Sequence, residues 1–231
     1  MTTNLRISLT ILSIGFAIEG AGEAYSVVAH GALLPATSLV FFASTVVTVL
    51  GLLFLFLGRH EWNELHRSRV ARTNVIFALS LLGAFVAAAE VALLTVYPGV
   101  GSPLWAEVLF GTALGSLVLG TFVTYVHLVF HLVRRPSKAV LIASVLWALV
   151  VSAYVGWVLG GDLPTILAAV ANRSLTIEHL LAPVDYLASY LFVSYFLLLA
   201  AYLDAHAVVA AGPPAGGGSA PSRVGDAGRG Q

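Results

Sequence analysis

The sequence predicts an all-α integral membrane protein, a bundle of six transmembrane helices with both termini in the cytoplasm. Of the 231 residues, 59% are hydrophobic and only 10% are charged, whereas a soluble domain carries about 25% charged residues. Six apolar stretches are each long enough to cross a hydrocarbon core of ~30 Å at a rise of ~1.5 Å per residue. Basic residues gather in segments that fall on one side of the bilayer. The chain is therefore expected in the cell membrane.

The six predicted spans follow one another with short interruptions rich in Gly, Pro and charged residues. The spans cover residues 5–27, 34–57, 74–96, 104–131, 139–160 and 183–204. They form one predicted domain, residues 1–205, and the Gly/Pro/Ala-rich tail at 206–231 has a composition typical of disorder.

Arg6 and the apolar run after it also resemble a secretory signal peptide, but Glu19 follows that run directly and no clean A-x-A cleavage site appears before the second span. We therefore expect the first span to be retained.

Basic residues fix the predicted orientation. Arg6 precedes the first span, and the other clusters lie in the loop 58–73, at 134–138 and in the tail. Ten of the eleven basic residues thus fall on one side, and Arg173 alone falls on the other. The positive-inside rule places the ten in the cytoplasm. The loop 58–73 is expected to form a short interfacial helix, and the loop 161–182 to lie on the membrane or fold back as a lid.

Two carboxyl groups lie inside predicted spans. Counted from Leu5, Glu19 is ~21 Å along the first span, and counted from Val75, Glu90 is ~22 Å along the third. A charge at that depth costs about 2.5–3.5 kcal/mol on insertion scales. We expect the two groups to meet in one layer of the membrane. They would then bind a proton or a cation, or form a neutral hydrogen-bonded pair that holds the two helices together; both alternatives stay open.

Three further acidic residues are expected at the outer side. Glu23 lies one helical turn after Glu19 on the same face, near the outer end of the first span. Glu107 and Asp185 open the fourth and sixth spans, where an acidic side chain complements the helix dipole. That role alone would account for the two residues; the alternative is that they form an acidic outer vestibule with Glu23, Glu19 and Glu90.

Glycines mark two places of close helix approach. Gly111 and Gly115 form a GxxxG motif in the fourth span, a pattern typical of helix packing in membranes. Gly20 and Gly22 remove side-chain bulk beside Glu19. Because these two glycines have no side chains, they favour either close packing or a local unwinding that frees carbonyl groups for an ion.

His127 and His131 form the one histidine pair that the sequence singles out. They stand four residues apart in the fourth span, so one helix face can present two ligands. Haem b takes axial ligands from different helices, and a second ligand would come from His60, His66 or His206. The alternative is a pair of interfacial histidines beside Arg134 and Arg135. A zinc hydrolase would also need a general base, for which Glu61, Glu64 and Asp204 are candidates, but no recognised spacing supports it.

The motifs that are absent narrow the function. No phosphate-binding or hydrolase signature occurs, so no catalytic residue is assigned, and the lack of cysteine excludes thiolate chemistry. The net charge of zero gives no reason to expect nucleic acid. The expected partners are the lipid bilayer and either further copies of the chain or subunits of a membrane complex. The scarcity of Lys and Met fits a thermophile or a GC-rich genome.

The leading hypothesis is a small transporter or channel-like protein for protons, cations or a small solute. Glu19 and Glu90 would bind the ion, and Glu23 would line the outer entrance. One alternative is a haem-binding or accessory subunit of a membrane electron-transfer complex. Another is a structural membrane subunit without transport activity.

Overall fold

A computed structural model of the chain describes residues 3–29, 46–47, 50–51, 70–97, 104–176 and 188–211. These residues contain no strand, and all their regular elements are helical. The helices with described bounds are α1 (Thr3–Val28), α2 (Val70–Val96), α3 (Leu104–Val129), α4 (Arg135–Gly161), α5 (Leu163–Ala171) and α6 (Phe192–Ala211), the last preceded by a 3₁₀ turn at Ser189–Leu191.

Four of these helices are long and apolar enough to cross a membrane. They cover Asn4–Val28, Leu104–Val129, Arg135–Gly161 and Ser189–Ala211, and they coincide with the first, fourth, fifth and sixth predicted spans. The third predicted span lies in α2, whose apolar part, Leu81–Val96, is shorter. The second predicted span lies almost entirely outside the described residues. The all-α class and its compatibility with a membrane are thus confirmed, while the count of six spans and the orientation stay predictions.

The helices pack as an antiparallel series around one hairpin. The hairpin consists of α3 and α4; α2 packs on α3, α6 packs on α4, and α1 packs on α6. The turn at residues 130–134 marks one end of the bundle, here called the hairpin end. The short helix α5 lies at the opposite end, here called the α5 end, and contacts α2 and α4. In the described part of the chain, α1 and α2 are not among the closely packed pairs.

Apolar side chains form the core on one face of each helix. On α1 the fully buried apolar residues recur at positions i, i+4, i+7 and i+11, which keeps them on one face; they are Leu5, Leu9, Leu12 and Phe16. Large apolar residues elsewhere, such as Phe85 and Trp157, are mostly exposed. A helix that is hydrophobic on all sides is typical of a membrane span, where hydrocarbon covers the outer face.

Backbone contact between two glycine motifs holds α3 against α4. Gly111 and Gly115 on α3 face a second GxxxG pair, Gly156 and Gly160, on α4. A Cβ atom added to Gly115 would lie only 2.9 Å from the carbonyl oxygen of Ser152. The packing role predicted for Gly111 and Gly115 is therefore confirmed, and α4 supplies the complementary motif.

An aspartate on α6 caps the start of α4. Asp204 Oδ2 accepts hydrogen bonds from the Arg134 backbone N–H at 3.0 Å and from the Ser137 hydroxyl at 2.7 Å. The guanidinium of Arg134 also lies 3.7 Å from Asp204 Oδ1. The helix continues past this residue to Ala211, whereas the sixth span was predicted to end at 204. A carboxylate can sit within the helix because the N-terminus of α4 supplies donors and a favourable dipole.

The loop predicted as a surface segment or lid contains α5. Leu163, Ile166 and Ala169 are buried at a spacing of three residues, so α5 folds back onto the ends of α2 and α4. It ends with Arg173 at φ 53°. The Ser174 N–H then reaches back to the Ala169 carbonyl at 2.9 Å, the bond that defines a Schellman ending.

Candidate functional site

Glu19 lies where α1 packs against α6. Its side chain is only 8% exposed, and the Tyr195 hydroxyl on α6 donates a hydrogen bond to its carboxylate. Glu23 lies near enough to act electrostatically on the same tyrosine. A Cβ on Gly20 would lie 3.1 Å from the Phe196 ring, so the glycine beside Glu19 serves close packing, and α1 stays helical through this level.

A cluster of aromatic rings packs around Phe16, one helical turn before Glu19. The Phe16 ring centroid lies 5.0 Å from that of Tyr125, 4.9 Å from that of Tyr202 and 6.4 Å from that of Tyr195. The Tyr202 hydroxyl donates to the Tyr125 backbone carbonyl at 2.9 Å. Helices α1, α3 and α6 therefore meet at one cluster, here called the tyrosine site: Glu19, Phe16, Tyr125, Tyr195 and Tyr202. Carboxylate and phenol oxygens suit a proton or a cation, and the ring faces attract cations as well.

Glu90 lies on the face of α2 that packs against α3. Ala87, Glu90 and Leu94 are buried along this face, and Glu90 is 6% exposed. Neither of its carboxyl oxygens makes a hydrogen bond. A Cβ on Gly83 would lie 2.6 Å from the Ala113 carbonyl oxygen, which fixes the register of α2 against α3. Glu90 lies seven residues, or about two turns, after Gly83 on α2. Because α2 and α3 are antiparallel, Glu90 therefore lies nearer the α5 end, at the level of residues 106–110 of α3.

The structure does not bring Glu19 and Glu90 together. The ring of Tyr195, the partner of Glu19, lies 5.0 Å from that of Phe122 on α3. Between Phe122 and the level of Glu90, α3 rises by about 20 Å. The expectation of one shared layer assumed that the first and third spans enter the membrane at the same level. Instead α1 packs on α6 and is displaced toward the hairpin end, so the two carboxyl groups occupy separate layers.

Of the three acidic residues predicted at the outer side, the described part of the structure places only Glu23 beside Glu19. Glu23 is half-buried and does accompany Glu19 at the tyrosine site. Glu107 lies in the first turn of α3, as predicted, and lines a groove of about 470 Å³ between α3 and α4. Asp185 lies outside the described residues. The outer vestibule therefore stays a prediction.

His127 and His131 lie side by side near the hairpin end. Their ring centroids are 6.3 Å apart and the rings are nearly perpendicular, at 86°. His206 lies on α6, whereas His60 and His66 fall outside the described residues, as do Glu61 and Glu64. Among the described residues, no group of three or more His, Asp or Glu side chains is placed to hold a metal ion. Asp204 is engaged as a helix cap, and the haem and metal hypotheses stay predictions.

The tyrosines of the tyrosine site were not predicted from the sequence. Tyr195 and Tyr202 are seven residues apart, so they share one face of α6, and a buried phenol hydroxyl usually has a hydrogen-bond partner. That pairing of spacing and chemistry pointed to a polar site on the last span. Tyr125 gave no comparable signal, because its proximity to α1 and α6 depends on tertiary packing.

No protein-family model matches the chain, and no curated protein or solved structure matches it either.

Proposed function

We propose that the chain is a small transporter or channel-like protein for protons, cations or a small solute, and that Glu19 binds what is moved. The observation that carries the proposal is a buried carboxyl group that accepts a hydrogen bond from the Tyr195 phenol, where three apolar helices meet. Placing a charge in such a position costs about 2.5–3.5 kcal/mol, and crossing the membrane does not require one. A function that uses the carboxyl group explains why the sequence has it.

The tyrosine site has the chemistry for reversible binding. Glu19 would take up a proton or a cation, and Tyr195 would orient the carboxyl group through its hydroxyl. The rings of Phe16 and Tyr125 would stabilise a cation by their π faces. Glu23 lies one turn, or ~6 Å, closer to the α5 end. It would relay the ion between the tyrosine site and that end of the bundle.

Ion flux into proteoliposomes tests the proposal. Glu19→Gln removes the titratable group but keeps the size of the side chain, so we expect it to abolish flux or its dependence on pH. Tyr195→Phe keeps the ring and removes the donor, and should change the pH dependence without abolishing flux. Asp162→Asn, in the turn between α4 and α5, is the matched control and should behave as the unmodified chain. Unchanged flux in a folded Glu19→Gln variant, monitored by gel filtration, would refute the proposal.

A further inference from the structure

We propose that Glu90 is a second and separate site, and that its ligand is a proton and not a metal cation. Any role of this second site in transport rests on the proposed function. The bound proton itself is detectable without measuring flux.

The number of oxygen atoms near Glu90 favours a proton. Along the buried face of α2, the positions on either side of Glu90 are Gly83, Ala87 and Leu94, none of which carries a side-chain oxygen. The opposing level of α3 presents Ala106 and Phe110, which are also buried and apolar. Among the described residues of these two buried faces, Glu90 is therefore the one oxygen-bearing side chain, because Glu107 lines the groove between α3 and α4 instead.

A metal cation would need several more ligands than this. Hard cations such as Ca²⁺ and Mg²⁺ take about six or more oxygen ligands, and ion sites in transporters draw many of them from unwound helices. Here both α2 and α3 run unbroken past Glu90, so their backbone carbonyls accept hydrogen bonds within the helices. A proton needs only one carboxyl oxygen, and it also removes the charge that apolar surroundings disfavour.

No nearby positive charge in the described part of the chain offsets a negative charge on Glu90. Among the described elements, α3 and α5 pack against α2. The described titratable groups at this end are Glu107, Asp162 and Arg173, with Tyr97 at the end of α2 itself. None of them is hydrogen-bonded to either Glu90 oxygen. Glu107 and Asp162 are acidic, and Arg173 is exposed just beyond the C-terminal end of α5. Among the described residues, a negative charge at Glu90 would therefore have no hydrogen-bonded cation to stabilise it.

Infrared spectroscopy of the purified protein tests this inference. A protonated carboxyl group has a carbonyl stretch well separated from the bands of a carboxylate. We expect this band at neutral pH, with the contribution of one carboxyl group lost in Glu90→Gln and retained in Glu107→Gln. Adding Na⁺, K⁺ or Ca²⁺ should leave the band unchanged. Should Glu90→Gln not fold, Glu90→Asp serves instead, because it should shift the frequency of the band.

Two results would overturn the inference. One is a band that neither Glu90→Gln nor Glu90→Asp alters, which would show that Glu90 is ionised. The other is a band that a cation removes in the unmodified chain but not in Glu90→Gln, because the cation would then replace the proton at Glu90. Loss of the proposed transport function would leave the band in place, so the two failures are distinguishable.

Discussion

Replacing Glu90 with methionine should stabilise the protein. Methionine has a similar length and no group that needs a hydrogen bond, and its flexibility lets it fill an irregular space. A buried polar group without a partner costs about 1–3 kcal/mol, and both Glu90 oxygens are in that position. Removing them should recover a gain of that size, which corresponds to a rise in melting temperature of about 2–4 °C for each kcal/mol.

Thermal unfolding in one detergent, followed by circular dichroism, measures the effect. Glu107→Met is the matched control. This acid is half-buried and lies in the first turn of α3, so its loss should lower stability by about 0.3–1 kcal/mol through the helix dipole. A fall of several degrees in Glu90→Met would refute the reasoning. Such a fall would show that Glu90 makes stabilising bonds, as the structural-subunit hypothesis requires.

Three further substitutions or spectra test other parts of the structure. Gly160→Ala should destabilise the protein by about 1–3 kcal/mol, because its new methyl group would meet the Glu107 carbonyl; Gly161→Ala, with open space around it, should not. Asp204→Ala should cost about 0.5–2 kcal/mol in thermal unfolding, because α4 loses its cap; unchanged stability would contradict that role. Oxidised and reduced absorption spectra should lack a Soret band; a Soret band that a His127→Ala/His131→Ala variant loses would favour the haem hypothesis.

Composition was enough to predict the class of the fold. A long apolar stretch indicates directly that a helix is surrounded by lipid. Four predicted spans therefore coincide with helices of spanning length. The GxxxG motif at Gly111 also predicted close packing, because small residues have a local signature. The last helix is the poorest match, because the predicted span covers 183–204 whereas the helix runs to Ala211.

Which helices pack together, and how far one helix is shifted along another, could not be predicted in the same way. Counting residues from the start of a span gives a depth only if all spans begin at one level, and α1 does not share its level with α2. That displacement depends on the packing of Phe16 and Gly20 against α6, which is distant in the sequence. The separate layers of Glu19 and Glu90 follow from those contacts.

The separation of the two carboxyl groups is best measured by electron paramagnetic resonance. The chain has no cysteine, so spin labels attach only at introduced sites. Ala21→Cys and Ala92→Cys each lie two residues after one of the glutamates, on exposed positions. The structure predicts a label-to-label distance centred above about 20 Å. A distance near 10 Å, the spacing of neighbouring packed helices, would place Glu19 and Glu90 in one layer and contradict the two-site arrangement.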